Sequence, residues 1–277
     1  MSAHNRYGLQ RDIPESVARQ VRQRCGFGCI ICGNPFIVYH HFDPPFNQAR
    51  EHRADGISIL CANHASEADH GRRSVQNIKI HDADPICRRT GHTIAVLDSG
   101  PTPLKFMMGS AVFDTPVVLM YESVELISFR PPEAKGAPWR LNARIFDRDG
   151  KGLLKIVDNQ WLVGINRYDI TARGKTVEVR QKRGDLVLAM DLVVDGLVHI
   201  RRLQMQCFEV VLICDDTSFS VKNRIGGAVR FLQPLRSNNL ISGDIGIYVL
   251  PSRKVVEFAT SLQPGSSAGA AMMLPDS

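Results

Sequence analysis

The pattern of hydrophobic and polar positions differs between the first third of the chain and the rest. Near the start, Val17 and Val21 stand one helical turn apart among polar positions, which predicts an amphipathic helix over residues 12–24. Asp12 is placed to cap this helix, and Gly26 can end it in a left-handed conformation. The chain therefore begins with a helix that has a narrow apolar face.

A pair of short strands and a second helix follow. Residues 36–42 and 57–60 are rich in β-branched and aromatic side chains, as strands are. A further helix is predicted over residues 65–69, soon after the second strand. Two strands and a helix make a ββα unit, which is too small to rely on a conventional hydrophobic core.

Beyond residue 91, short apolar runs alternate with turn signals such as Asp149-Gly150 and Gly184-Asp185. Strands are predicted at residues 93–97, 116–120, 124–129, 141–146, 153–157, 161–165, 176–180, 186–192, 197–200 and 208–213. A spacing of roughly ten residues between strands is typical of an all-β sandwich, barrel or short solenoid. The pattern does not choose among these three architectures.

Potential metal ligands are concentrated in the first segment. Five of the seven cysteines and eight of the nine histidines lie before residue 93. Cys29 and Cys32 form one Cys-x-x-Cys pair, and Cys61 and His64 form a Cys-x-x-His pair, which is the spacing of zinc ligands. A disulfide framework is the alternative, but the odd cysteine count and the lack of a secretory leader favour a structural zinc ion.

These observations predict an α+β protein with two domains and a tail. Residues 1–90 would form the small zinc-stabilised ββα domain, and residues 91–262 an all-β domain for recognition or assembly. Residues 263–277 are low in complexity and are expected to be disordered. Long exposed strand edges in the β domain would suit a homo-oligomer, for example a twofold dimer.

Charge and hydropathy add little to this picture. The chain has 34 Lys and Arg against 28 Asp and Glu, a net charge of +6 that permits a polyanionic partner. We expect Arg19, Arg22 and Arg24 to lie largely in solvent on the first helix, where they either contact phosphates or form a solvated face. No apolar run approaches the ~20 residues that span a bilayer, so we expect a cytoplasmic protein without a membrane partner.

The first segment resembles a known family over residues 8–80. The stretches Arg22-Gln-Arg-Cys-Gly-Phe-Gly-Cys-Ile-Ile-Cys-Gly33, Tyr39-His-His-Phe42 and Ile57-Ser-Ile-Leu-Cys-Ala-Asn-His64 are similar to HNH, or ββα-metal, endonucleases of the bacterial branch with a zinc site. The resemblance implies hydrolysis of phosphodiesters, more often in double-stranded DNA than in RNA. It also implies a second, catalytic divalent ion such as Mg²⁺ or Mn²⁺, and a bacterial or phage setting.

Two adjacent histidines receive different roles from this resemblance. His41 would be the general base that takes a proton from the attacking water, because an imidazole titrates near neutral pH. His40 would be a ligand of the catalytic ion. The alternative is that either histidine belongs to the structural zinc site or is only a polar strand residue.

The sequence departs from the family pattern at two places. Many relatives carry a second histidine directly after the last zinc ligand, where this chain has Ala65. Asp69 or His70, about one turn further along the helix, would replace it as a ligand of the catalytic ion.

The second departure concerns the residue that orients the base. The asparagine that buttresses the base loop in the family is not plainly present, and Asp55 or Gly56 stands near its place. Asp55 can accept the same backbone hydrogen bonds but cannot donate as an amide does. His52, in the loop before it, is another candidate for the orienting or ligand role, although a single loop histidine is more often solvated.

The resemblance therefore predicts a metal-dependent endonuclease with a C-terminal β domain for recognition, assembly or regulation. A second hypothesis, motivated by Ala65, is a degenerate HNH fold that binds nucleic acid or protein without cutting. A third is a β-domain assembly protein in which the zinc segment only stiffens the N-terminus.

Overall fold

The computed structural model is a mixed α+β protein that is mostly sheet, with few helices and several sheets. It describes residues 4–97, 99–109, 111–194, 196–207, 210–223, 239–250, 255–258 and 270–273. The chain divides into two compact units. The N-terminal unit contains residues 1–95, 162–174 and 179–185, and the β unit contains residues 96–161, 175–178 and 186–277.

The N-terminal unit contains the four α-helices of the described residues and a two-stranded sheet. Up to residue 91 its elements are α1 (Glu15–Cys25), β1 (Ile37–His41), a short 3-10 helix (Ala54–Gly56), β2 (Ile57–Cys61), α2 (Ala62–Asp69), α3 (Val75–Ala83) and α4 (Ile86–Thr90). Strands β1 and β2 are antiparallel, with His40 opposite Ser58 and His41 opposite Ile57. Because α2 starts directly after β2, the unit has the ββα order that the hydrophobic pattern predicts.

Helix α1 differs from the sequence-based prediction at its start and in its exposure. It begins after Pro14, which makes no side-chain cap, so the prediction of a cap by Asp12 is wrong. Gly26 ends the helix with a φ of 76°, in the left-handed conformation that glycine adopts without a Cβ penalty. Arg22, expected in solvent, is only 2% exposed.

Arg22 is buried because it pairs with a carboxylate far along the chain. It donates to both carboxylate oxygens of Asp169, at 2.9 and 2.7 Å, and to Glu15 Oε1 at 2.6 Å. Burial alone would lower the pKa of Arg22, but the hydrogen bonds to Asp169 and Glu15 raise it above its ordinary value. The guanidinium therefore stays charged and fully paired in the interior of the unit.

Residues 162–174 belong to the N-terminal unit partly through this ion pair. Arg19 also contacts this segment, because it donates to Tyr168 Oη at 3.0 Å and lies 3.4 Å from Asp169 Oδ2. Gln23 donates to the backbone oxygen of Tyr168 at 2.7 Å. One face of α1 is therefore covered by a segment that the sequence pattern assigned to the β domain.

All other secondary-structure elements of the described residues are strands. They are β3 (His92–Val96), β4 (Lys105–Met108), β5 (Ala111–Asp114), β6 (Val117–Tyr121), β7 (Val124–Arg130), β8 (Arg140–Phe146), β9 (Gly152–Val157), β10 (Gln160–Gly164), β11 (Asp169–Arg173), β12 (Thr176–Lys182), β13 (Asp185–Val194), β14 (Leu197–Cys207), β15 (Val210–Cys214), β16 (Phe219–Asn223), β17 (Asn239–Ser242), β18 (Ile245–Leu250), β19 (Val255–Phe258) and β20 (Ala270–Met273).

Two sheets account for the strands of the β unit. One has the order β20-β19-β18-β6-β7-β8-β9, and the other has the order β13-β14-β4-β5-β17, with β15 beside β14 and β16 beside β15. The neighbours β4 and β14, β5 and β17, and β6 and β18 are parallel, so late strands return beside early ones. Buried residues alternate along β8 and β14, as expected for strands with one face on a core.

Two predictions concern the end of the chain and the membrane. Of the stretch predicted to be disordered, residues 263–277, only β20 lies within the described residues. Among the described residues, no helix has the length and apolar character needed to cross a bilayer.

The Arg22 to Asp169 ion pair generates a stability prediction. Replacing Asp169 with Ala leaves a charged guanidinium buried without its main partner, and we expect the opening free energy of the α1 amides to fall by about 3 kcal/mol or more. The matched control is Asp84→Ala, which removes an exposed ion pair with Arg89 and should cost less than about 1 kcal/mol. Hydrogen exchange of the α1 amides measures both changes. Equal losses in the two variants would contradict the assigned role of Asp169.

Candidate metal centre and histidine site

Cys29 and Cys32 are presented by a tight turn between α1 and β1. The Cys29 amide donates to the Asn34 oxygen at 2.8 Å, and the Gly33 amide donates to the Cys29 oxygen at 2.8 Å. A Cβ on Gly28 would lie 2.4 Å from the Gly33 oxygen, so only glycine fits where the turn closes on itself. This local geometry is what a zinc knuckle requires.

The second ligand pair is placed by the junction between β2 and α2. Cys61 is the last residue of β2, and His64 lies in the first turn of α2. The amide of Ile30 donates to the oxygen of Ile59 at 3.1 Å, which ties the cysteine turn to the strand that ends at Cys61. Backbone hydrogen bonds therefore hold the two pairs beside each other.

The four ligand atoms have the spacing of a tetrahedral metal site. The three sulfur atoms and the imidazole nitrogen all lie within 4.8 Å of one another. His64 Nδ1 is 3.3 Å from the Sγ atoms of Cys29 and Cys61, and the Sγ atoms of Cys32 and Cys61 are 3.8 Å apart. Zinc bonds of about 2.3 Å to sulfur and about 2.0 Å to nitrogen place tetrahedral ligands roughly 3.5–3.8 Å apart. The cluster can therefore hold a metal ion, consistent with structural zinc.

Cys29 differs electrostatically from the cysteines outside the cluster. A hydrogen bond from Cys32 lowers the pKa of Cys29 to about 4, and the same bond raises the pKa of Cys32. Outside the cluster, burial raises the pKa of Cys25 and of Cys87 to about 12, so these thiols stay protonated. When a metal ion binds to the thiolates, it replaces the proton that the packed sulfur atoms share.

His40 and His41 lie at the end of β1 and are not members of the Cys3His cluster. Because neighbouring residues of a strand point to opposite sides, the two imidazoles have different partners. His40 Nδ1 is 3.6 Å from Asp69 Oδ1, whereas His41 Nε2 is 3.1 Å from His52 Nδ1. The pair is thus available for chemistry separate from the metal cluster.

His41 is half-buried in a pocket of rings. Its ring centroid lies 5.3 Å from that of Phe46 and 5.3 Å from that of His52. Burial lowers the pKa of His41 to about 4, with smaller contributions from His52, His40 and Arg11. The imidazole is therefore unprotonated at neutral pH, and an unprotonated ring nitrogen is what a general base requires.

The neighbour of His41 is His52, not Asp55. Asp55 is exposed and pairs with Arg53, at 3.1 and 2.5 Å, and it makes no contact with His41. The backbone hydrogen bonds that close the loop between β1 and β2 come from Gly56, whose oxygen accepts from the amides of Phe42 and Asp43. The expectation of a solvated loop histidine is wrong for His52, whose Nε2 is buried without a hydrogen-bond partner among the described residues.

Asp69 and His70, the two alternatives for the catalytic ion, lie in different surroundings. Asp69 faces His40, while His70 Nδ1 lies 2.7 Å from the backbone oxygen of Ser66 in its own helix. Burial lowers the pKa of His40, and the Asp69 carboxylate opposes this change. Ala65 stands at the position where many HNH endonucleases carry histidine. Its side chain is 7% exposed and packs in the core of the unit.

The three arginines proposed to contact phosphates are all engaged within the N-terminal unit. Arg22 is buried against Asp169, and Arg19 contacts the same carboxylate. Arg24 pairs with Asp82 and donates to the oxygen of Ile57 at 2.6 Å. Their expected position in solvent is therefore wrong, because each has a partner that is distant in sequence.

Comparison of this chain with family models, with curated proteins and with solved structures finds no match in any of the three.

The geometry of the Cys3His cluster predicts a selective effect of cysteine substitutions. Cys29→Ser or Cys61→Ser should remove the bound zinc and unfold the N-terminal unit, because structural zinc contributes ~10–16 kcal/mol of apparent binding free energy in small domains. Metal analysis of the purified variants and circular dichroism provide the measurement.

Cys87→Ser is the matched control for these variants. Its hydroxyl can donate to the Gly33 oxygen as the buried thiol does, so zinc should remain stoichiometric. Stoichiometric zinc in the Cys29 and Cys61 variants would show that the ligand assignment is wrong.

Proposed function

We propose that this protein is a metal-dependent nuclease of the HNH type that hydrolyses phosphodiesters, with DNA as the substrate. The observation that carries the proposal is the separation of two sites within one ββα unit. A sulfur-rich cluster is suited to a structural ion, while His40 and His41 remain free of it and face a carboxylate and a second imidazole. A scaffold ion and a separate base are what the resembled family requires.

His41 is the proposed general base, and its contacts define which atom takes the proton. Nε2 is occupied by the contact with His52 Nδ1, whereas Nδ1 has no hydrogen-bond partner among the described residues. For Nδ1 to accept a proton from water, the neutral ring must carry its hydrogen on Nε2 and donate it to His52 Nδ1. The same donation continues after Nδ1 is protonated, so His52 orients the ring in both states.

The catalytic ion would be held by His40 and Asp69. Their ligand atoms are 3.6 Å apart. Two cis ligands of one octahedral ion lie roughly 3 Å apart, so a small approach of the two side chains would let both bind the ion. Two protein ligands fit Mg²⁺ or Mn²⁺, since these ions commonly keep several waters and take oxygen ligands from substrate phosphates. When bound, such an ion neutralises charge on the scissile phosphate and its leaving oxygen.

The wider biological assignments rest on the resemblance and on composition. Double-stranded DNA as partner agrees with the net charge of +6. The β unit would serve recognition, homo-oligomeric assembly or regulation, and a bacterial or phage cytoplasm would be the setting. None of these assignments is needed for the proposed chemistry of His41.

A second candidate function is a module that binds nucleic acid or protein without cutting it. Ala65 favours this candidate, because its small side chain is buried in the core and supplies no metal ligand. His40 and Asp69 would then be the only protein ligands of the second ion among the described residues. Cleavage assays separate the two candidates.

Substitution of His41 tests the proposed base. His41→Ala should lower the rate of plasmid nicking in Mg²⁺ or Mn²⁺ by about 100-fold or more, because a positioned general base contributes 10²–10⁴-fold. The control is His92→Ala at the first residue of β3, which removes an imidazole bonded to its own turn and should leave the rate unchanged. Equal nicking by the His41→Ala and wild-type proteins would refute the assignment, and no cleavage with any metal would favour the binding module.

Substitution of Asp69 tests the proposed metal ligand. Asp69→Asn should raise the Mn²⁺ concentration needed for half-maximal cleavage by about tenfold or more, because it removes the charged ligand. Asp84→Asn removes an exposed carboxylate elsewhere in the unit and should not change the metal requirement. If the requirement is unchanged in Asp69→Asn but rises in His70→Asn, the ligand is His70.

A further inference from the structure

A short N-terminal segment is clamped beside the loop that contains Phe46. The Asn5 side chain donates to the backbone oxygens of Phe46 and Ala49, both at 2.6 Å, and accepts from the amides of Tyr7 and Leu9 at 3.0 Å. One amide side chain therefore satisfies four backbone groups and joins the two segments. Residues 4–11, hereafter the N-terminal arm, are positioned by this contact.

The arm and the loop together present guanidinium groups on aromatic rings. The guanidinium carbons of Arg6 and Arg50 lie 4.8 and 4.9 Å from the centroid of Tyr7, which is 46% exposed. The guanidinium carbon of Arg11 lies 4.9 Å from the centroid of Phe46. Stacking on a ring occupies the face of a guanidinium and leaves its N–H edges available for an anion.

These three arginines differ from most others in the N-terminal unit because they have no carboxylate partner within the described residues. Arginines of this unit that do pair with a carboxylate are Arg19, Arg22, Arg24, Arg53, Arg73, Arg89 and Arg173. The three charges are held near one another by the rings of Tyr7 and Phe46. Their exposed edges match the bidentate geometry of phosphate oxygens.

The cluster lies next to the proposed base. Phe46 carries Arg11 on its ring, and the same ring is 5.3 Å from His41 between centroids. A polyanion bound by the arm would therefore lie close to the His41 imidazole, with only the Phe46 ring between Arg11 and His41. Proximity of this kind positions a phosphodiester for attack.

We propose that Arg6, Arg11 and Arg50 form a binding site for the phosphate backbone of duplex DNA, positioned by Asn5. This site deepens the proposed nuclease function and rests on it for the identity of the polyanion. Its contribution is independent of base sequence, because the stacked guanidinium groups contact phosphates rather than base edges.

The salt dependence of DNA binding tests this site. Binding of a labelled duplex is measured by fluorescence anisotropy across a series of NaCl concentrations, with no divalent ion added, for the wild type and for the triple variant Arg6→Ala, Arg11→Ala, Arg50→Ala. Each lost phosphate contact lowers the slope of log affinity against log salt by about one, so the triple variant should lose about three. Its affinity at moderate salt should fall by about tenfold or more.

A control variant separates a phosphate site from a general effect of charge. Arg72→Ala, Arg89→Ala, Arg183→Ala removes the same number of positive charges from exposed arginines of the N-terminal unit that lie outside the cluster, and it should leave the slope within about one of the wild type. Equal loss of slope in the two triple variants would overturn the proposed site. Stoichiometric zinc in each variant shows that the N-terminal unit is folded.

The experiment also separates failure of this site from failure of the proposed function. A selective loss of slope in a protein that never cleaves DNA would support the site and contradict the nuclease. Normal cleavage with an unchanged slope in the arm variant would contradict the site alone. The His41→Ala protein should bind with the wild-type slope, because His41 is assigned to proton transfer and not to phosphate binding.

Discussion

The packing of three sulfur atoms and one imidazole nitrogen is the constraint on which the N-terminal unit depends. Two ligands come from the turn after α1 and two from the junction of β2 with α2, so one ion would join these two parts of the unit. Thiols packed this closely repel one another once ionised, and a divalent ion removes that repulsion. Strand β1 gains its position indirectly, because it pairs with β2 along its whole length.

The same arrangement keeps the paired histidines apart from the sulfur cluster. His40 and His41 are on the strand that pairs with β2, yet their rings point to Asp69 and His52 and not to the sulfur cluster. The metal cluster consists of three sulfur atoms and one nitrogen, whereas the paired histidines lie beside a carboxylate and another imidazole. Sulfur favours a closed, permanent site, whereas a half-buried neutral imidazole and a partly exposed carboxylate favour exchange of protons and of oxygen ligands.

Local sequence features predicted the parts of the structure that depend on neighbouring residues. The two ligand pairs and the ββα order follow from spacing over a few positions, and most strands of the β unit follow from alternation. Contacts across long separations were missed. The burial of Arg22 depends on Asp169, 147 residues away, and the contact of His52 with His41 depends on the path of a loop. The strands β4, β5, β11 and β16 to β20 were also missed.

X-ray absorption spectroscopy at the zinc edge of the purified full-length protein tests the central claim most directly. The account predicts a single four-coordinate zinc with three sulfur ligands at about 2.3 Å and one nitrogen ligand at about 2.0 Å. The spectrum should be identical in a variant that lacks both His40 and His41. A coordination shell dominated by nitrogen and oxygen, or one that changes when the paired histidines are removed, would contradict the separation of the scaffold ion from these histidines.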